Sequence, residues 1–381
     1  MHRQTEATDS AAHPLYQSPA EITSPAFFAR LTGRAVATVQ VTPLTAEFAH
    51  SGSQLSTVEV DFTDGGTPDR MQYILKRLNP EWDWLMQVTE DTHCRSVTLW
   101  SHGVFDHLPH QADTATIACA HDEEGYAILM RAVGDTLVTN RVFTEAQNAA
   151  FVDTLAAMHA RFLDRTAPVH LADPALGLCR TQDVFQMFSP ASATRFVYLD
   201  RGIHRRIHEG WAQVREVMPA DVADIVLPLA NDPGPLVTRL EQFPHTLVHG
   251  DYRHSNLGLE YGRTIMLDWQ LATYGPPAID LARYIGANSP FLPVPKEQIL
   301  ATYRERLEEH LTAERGEAAA RAIDEWWEAQ LYLSLLGGFI QDGWAIALKA
   351  TTWDITENTR EQWKADLPWW SAVIRRGAAF L

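Results

Sequence analysis

Residues 247–285 read LVHGDYRHSNLGLEYGRTIMLDWQLATYGPPAIDLARYI. An apolar strand runs into His249-Gly250-Asp251, and Asn256 follows Asp251 by five residues. Glu260 and Gly262 mark a polar hairpin turn, and a second apolar strand, Ile265-Met266-Leu267, ends at Asp268. The spacing puts Asp251 and Asn256 on one loop and Asp268 at the end of the strand that returns beside it. Two oxygen ligands and a carboxylate can therefore meet at one point. Phosphoryl transfer needs such an arrangement. Magnesium takes hard oxygen ligands, an acceptor hydroxyl needs a carboxylate to orient it and take its proton, and the remaining work is positioning and charge stabilisation. Taken singly, each of these residues would be read as a turn or cap residue. The combination is what carries the chemistry.

Upstream, the sequence divides by pattern. Residues 1–23 are polar and read as a flexible arm. Ser24-Pro25 opens a helix, with serine as cap and proline in the first turn. Residues 36–48, 54–62 and 71–78 are predicted strands of a hairpin-type antiparallel sheet, with a turn at Asp64-Gly65-Gly66. Asn79-Pro80 is predicted to open a helix running to about Trp100. Two more strands are predicted at 114–120 and 126–131. From residue 143 the period becomes helical, with Phe151, Val152, Leu155, Met158 and Phe162 at helical spacing. Apart from short strands near 245–248 and 264–268, most of the rest reads as helix. The expected organisation is an arm (1–23), a β-rich lobe (24–131) and a mostly helical lobe (132–381).

Composition narrows the function classes. At 381 residues with 46% apolar content, the chain can bury a sizeable core. Its formal net charge of −17 argues against nucleic acid or anionic membranes as partners. That charge would also favour a cationic or neutral substrate, although solubility explains it as well. The three cysteines, Cys94, Cys119 and Cys179, form no CxxC pair, which supports neither a zinc ribbon nor a disulfide framework. With no signal-type apolar run at the N-terminus and no apolar stretch read as membrane-spanning, a cytoplasmic location is expected. No GxxxxGK[ST] and no GxGxxG occurs.

HGDYRHSN followed by LDWQ resembles the aminoglycoside phosphotransferase and choline kinase superfamily, relatives of protein kinases. The Asp268-Trp269-Gln270 variant is similar to the ecdysteroid-kinase-like and acyl-CoA-dehydrogenase-associated branches. The resemblance extends over roughly residues 70–285. It implies an α+β, protein-kinase-like bilobal fold, with a small antiparallel-sheet N-lobe and a mostly helical C-lobe. It implies ATP and Mg2+ as cofactors and a small-molecule hydroxyl as acceptor: an aminoglycoside, amino alcohol, sugar or lipid-like alcohol. By position, Asp251 would be the base or hydroxyl-orienting group, Asn256 and Asp268 the magnesium ligands, and Arg253 a contact to the transferring phosphate. His249 would brace the loop and Asp280 would anchor it. Lys76, in YILKRL, falls where kinases pair a strand lysine with the α- and β-phosphates. Backbone amides at Ser51, Gly52 and Ser53 would cover the phosphates, and Met130 to Ala132 would contact adenine. Only Trp269 to Gly275 separate Asp268 from Pro276-Pro277, too short for a peptide platform, so a small acceptor is expected.

One departure stands out. Ser96 occupies the place where the family carries the glutamate partner of the strand lysine, and Glu90 or Asp91 are the nearest substitutes. This motivates an alternative function, a catalytically weak or inactive nucleotide-binding module. In the C-terminal region, the tryptophans are expected to be mostly core, Asp342 and Asp354 to be solvated, and His204 and His208 to lie on a solvated helix face.

Overall fold

The structure, a computed structural model, describes residues 13–44, 52–63, 69–138, 141–165, 169–199 and 202–381. The turn expected at Asp64-Gly65-Gly66 lies outside them. Two short helices, α1 (Pro19–Ile22) and α2 (Pro25–Thr32), precede the strands β1 (Val36–Pro43), β2 (Gln54–Phe62) and β3 (Asp69–Leu78). Then come α3 (Trp84–Val88), α4 (Arg95–Ser101), β4 (Ala112–Asp113), β5 (Thr116–Asp122) and β6 (Gly125–Arg131). Five of the strands form an antiparallel sheet in the order β1-β2-β3-β6-β5. The alternation in β2 does what period two demands: Val58, Val60 and Phe62 go to one face and pack with Phe28, Tyr73, Leu75 and Leu129. On β3, Lys76 shares the opposite face with Leu78, which packs on Met86, Val97 and Ile128.

Residues 13–23, expected to belong to a flexible arm, are packed on this sheet. Tyr16 bridges to Ala120 and Ile22 is fully buried. The single helix expected over 79–100 is two helices. Asp83 caps α3 by accepting from the amides of Leu85 and Met86, and Glu90 (φ 52°) and Cys94 (φ 54°) break the chain before α4. A left-handed residue cannot continue an α-helix, and periodicity does not reveal where one will sit.

The C-terminal part carries α5 (Glu145–Phe162), α6 (Thr181–Gln186), α7 (Pro190–Phe196), α8 (Gly202–Val217), α9 (Ala220–Asn231) and α10 (Gly234–Leu240). Strands β7 (Thr246–Val248), β8 (Leu257–Glu260), β9 (Arg263–Met266) and β10 (Thr273–Gly275) follow. The chain ends in α11 (Ala278–Asn288), α12 (Lys296–Arg315), α13 (Glu317–Arg321), α14 (Ile323–Thr351) and α15 (Glu357–Ala378). The fold is therefore the α+β bilobal one, with an antiparallel-sheet N-terminal part and a mostly helical C-terminal part. Helix α5 begins on a reciprocal capping box between Thr144 and Gln147. Strands β8 and β10, which the sequence reading passed over, hydrogen-bond to β9 and β7 and thereby fix the loops between them.

Helix α14 has the length of a membrane span and contains an 18-residue window of mean hydropathy 1.3, contrary to the expectation that no such stretch exists. Its most apolar window is 94% buried, so it is the central core helix of this part of the molecule. Trp327, Trp344, Trp363 and Trp370 are buried in that core. His204 is not on a solvated face. It is buried, ring against Trp84 and Phe196, while His208 meets the Thr194 hydroxyl.

Candidate active site

The loop after β7 is held by α11. Asp280, in the first turn of that helix, accepts from the amides of His249 (2.6 Å) and Gly250 (2.8 Å). His159 on α5 approaches the same carboxylate at 3.2 Å and is itself met by the Tyr303 hydroxyl. All of these groups are buried, so each missing bond would cost the desolvation of an unpaired polar group. Gly250 has φ 79°, and a Cβ there would collide with the Leu271 carbonyl. Gly250→Ala is therefore expected to lose about 2–4 kcal/mol of stability, through left-handed strain and overpacking together. Chemical denaturation reads this directly, and a wild-type midpoint would contradict the loop geometry described.

His249 ties this loop to the next one. Its Nδ1 accepts from the Asp251 amide (3.2 Å), and its Nε2 donates to the Leu267 carbonyl (3.0 Å), one residue before Asp268. That pattern requires the neutral Nε2–H tautomer, and burial lowers the imidazole pKa, which keeps the ring neutral. Leu267 also donates its amide to the Asn256 carbonyl (2.9 Å). Asp268 stands at φ 66°, a conformation that aspartate tolerates better than most residues.

Asp251 is the most heavily engaged carboxylate of this site. Asn256 Nδ2 donates to its Oδ2 (2.8 Å) and to its backbone carbonyl (2.9 Å). Arg253 donates through Nε to Oδ1 (3.0 Å), and Arg283 donates to the same oxygen through Nη2 (2.6 Å) and Nε (3.0 Å). Burial by itself would raise the Asp251 pKa, but Arg253 and Arg283 outweigh it and hold the carboxyl well below the usual range. Arg283 is three residues beyond Asp280 on α11, so one helix face presents the loop anchor and the guanidinium together. The other end of Arg283 pairs with Asp342 on α14. Asp342, expected to be solvated, is buried, while Asp354 is exposed. The neighbouring Gln341 donates to the Gly250 carbonyl (3.2 Å).

Lys76 reaches across from β3. Its Nζ donates to Asp268 Oδ1 (2.9 Å) and Gln270 Oε1 (3.2 Å), and Gln270 Nε2 in turn approaches Asp83 Oδ2 at 3.4 Å. Burial disfavours the ammonium, but Asp268, with Asp83 behind it, outweighs this and raises the pKa. The helix carboxylates considered as partners are elsewhere. Glu90 pairs with Arg180, and Asp91 accepts from the Arg95 amide and faces its guanidinium. Ser96 is buried in α4.

The network so far joins Lys76, His249, Asp251, Arg253, Asn256, Asp268 and Asp280. Other candidates lie outside it. Met130 is within β6, paired with Ile74 and Thr116, and Ala132 lies just past the strand end. Gly52 (φ 109°) and buried Ser53 come directly before β2, and Ser51 is outside the described residues. Sequence reasoning missed Arg283, Gln341 and His159, took Asp342 as solvated, and gave Gln270 no role beyond its place in the motif. A signal existed for one of them: Arg283 is a lone charge inside the apolar run IDLARYI after Asp280.

The donor set suits a hard cation. Asn256 turns its amide nitrogen to Asp251, which leaves its Oδ1 as an acceptor, and Asp268 binds Lys76 through one oxygen only. These two oxygens would supply part of a magnesium shell, the rest coming from phosphate oxygens and water.

A family model described as "phosphotransferase enzyme family" matches residues 45–330. No curated protein sequence matches the chain. Among solved structures it is similar to a choline kinase from Cryptosporidium parvum Iowa II, at 12% identity over 89% of this chain and 91% of that one, with a TM-score of 0.48. It is also similar to a choline kinase from Streptococcus pneumoniae (14%, 95% and 100%, 0.43). An ethanolamine kinase from Plasmodium vivax is a third (11%, 89% and 83%, 0.43).

Proposed function

Because the chain belongs to the phosphotransferase enzyme family, we propose that it moves the γ-phosphoryl group of ATP to a hydroxyl of a small molecule. The observation that carries this reading is the joining of Asp251 to Asn256 through the Asn256 amide and to the residue before Asp268 through His249, with Lys76 bound to Asp268 from the other lobe. The nucleotide belongs between the sheet of residues 24–131 and the helical part from residue 132. Magnesium, when bound, would neutralise charge on the β- and γ-phosphates.

The residues act as follows. Lys76 holds the α- and β-phosphates, and Asp268 and Gln270 keep its side chain aimed. Asn256 and Asp268 offer oxygens to the metal. Arg253 touches Asp251 through Nε, so its terminal nitrogens can meet the transferred group. Asp251 orients the acceptor hydroxyl and takes its proton. It is a weak base, held ionised by two guanidinium groups. A weak base suffices if the transition state is loose and the proton leaves late.

The test is magnesium-dependent ADP release from the full chain against amino alcohols, sugars, hydroxy acids and aminoglycosides, beside a calorimetric titration with Mg-ATP. Acceptor-stimulated release is expected. Nucleotide binding with silence across every acceptor would favour the alternative, a module that binds ATP without turnover. Absence of nucleotide binding would reject both.

A further inference from the structure

On the C-terminal side of Asp251, the charges do not follow the chain average. The whole protein carries −17, yet Arg253, Arg283 and Lys349 lie within electrostatic reach of one another here, and Arg206 comes in over Trp353. Two carboxylates beside them are engaged, Asp251 by the two arginines and Asp342, through one oxygen, by Arg283, while Asp354, next to Trp353, is exposed. Lys349 is on α14, seven residues after Asp342, so it projects from the same helix face about 10 Å further along. No carboxylate pairs with it among the described residues. Its ammonium instead lies over the Trp363 ring at 4.3 Å, with the Trp353 ring at 5.9 Å. Arg206, from α8, lies over Trp353 at 4.8 Å.

We propose that this cluster is the acceptor subsite, and that the acceptor is a hydroxyl compound bearing an oxyanion, which Lys349 receives between Trp353 and Trp363 while the hydroxyl meets Asp251. The proposal rests on the phosphotransfer reading above and names its substrate class. The aromatic rings could instead suggest a site for a quaternary ammonium, since such rings attract cations. Here the protein's own Arg206 and Lys349 already occupy those rings, and a further cation would meet like charge. Burial pushes the Lys349 pKa down to about 8; Asp342 partly offsets this, while Arg253 and Arg283 add repulsion. A bound oxyanion relieves both penalties. The acidity of the chain as a whole, which would favour a cationic or neutral substrate, is not reproduced at this cluster.

The test follows the reactivity of Lys349 toward an amine-acylating reagent, by peptide mass spectrometry on the wild-type chain. Magnesium and the β,γ-imido analogue of ATP are present, so that the γ-phosphate position is filled and a probe must bind elsewhere. The probes are glycerol 3-phosphate, glycerate, glycerol and choline, with Lys364 as an exposed reference amine. At about 10 mM, ten times a millimolar dissociation constant, a bound anion is expected to slow Lys349 labelling about tenfold. Protection by glycerol 3-phosphate alone assigns a phosphate-bearing acceptor, and protection by glycerate a carboxylate-bearing one. Protection by choline, or by neither anion, overturns the proposal. Calorimetry of the analogue is read separately. Failure of nucleotide binding would overturn the phosphotransfer reading and leave the anion result standing by itself.

Discussion

Asp251→Asn is expected to lower turnover by about 10²–10⁴-fold, the range contributed by a positioned general base. Asparagine keeps the shape and can still accept from Arg283, but it carries no charge and takes no proton. Its effect on Mg-ATP affinity is expected to be small, because Lys76, Asn256 and Asp268 remain in place. The substitution also leaves Arg253 and Arg283 without their shared anion. Removing one partner of a buried pair costs about 3–5 kcal/mol when nothing replaces it, so a lower melting temperature should accompany the kinetic loss. Stability and rate are therefore to be measured on the same preparation, at a temperature where the variant is folded. Wild-type turnover in a folded variant would remove Asp251 from the chemistry.

Asp268→Asn is expected to act on binding. Outer-shell partners of metal sites are worth about 10–100-fold in affinity, so replacing a proposed ligand should weaken Mg-ATP binding by at least ~100-fold. The same change takes the anionic partner from Lys76, whose burial then opposes its charge. The decisive comparison is ATP affinity with and without magnesium. The wild type should bind more tightly with the metal, and the variant should lose most of that difference. Retention of the full magnesium effect would contradict the metal role and leave Asp268 only its pairing with Lys76 in the wild type.

The two variants separate the halves of the site: one stops transfer, the other stops loading. Gly250→Ala adds a third reading, because it perturbs the loop that carries Asp251 without changing any charged group.

Much of this was legible in sequence because it is local. The separation of Asp251 from Asn256, and a short strand ending at Asp268, fix a loop and a returning strand within about twenty residues. Strand alternation in β2, the capping signal of α2 and the helical period of α5 are also local, and the structure has all three. The expected helix from Asn79 to Trp100 failed because two left-handed residues interrupt it, and nothing in its periodicity marks them.

What only the tertiary structure decided is which distant groups meet. Lys76 and Asp268 are 192 positions apart, and Arg283 and Asp342 are 59 apart. A sequence without its fold offers Glu90 and Asp91 to Lys76 on nearly equal terms. In the structure, Arg180 takes the first and Arg95 the second, and Lys76 pairs with Asp268 instead. Asp342 looked solvated because aspartate usually is, yet burial is tolerable once Arg283 compensates it. Local spacing determined the arrangement of Asp251, Asn256 and Asp268 at the centre, since adjacent backbone holds those residues at fixed separations. The surroundings that tune it, including the cations beyond Asp251, depend on helix packing, and that is set by the whole core at once.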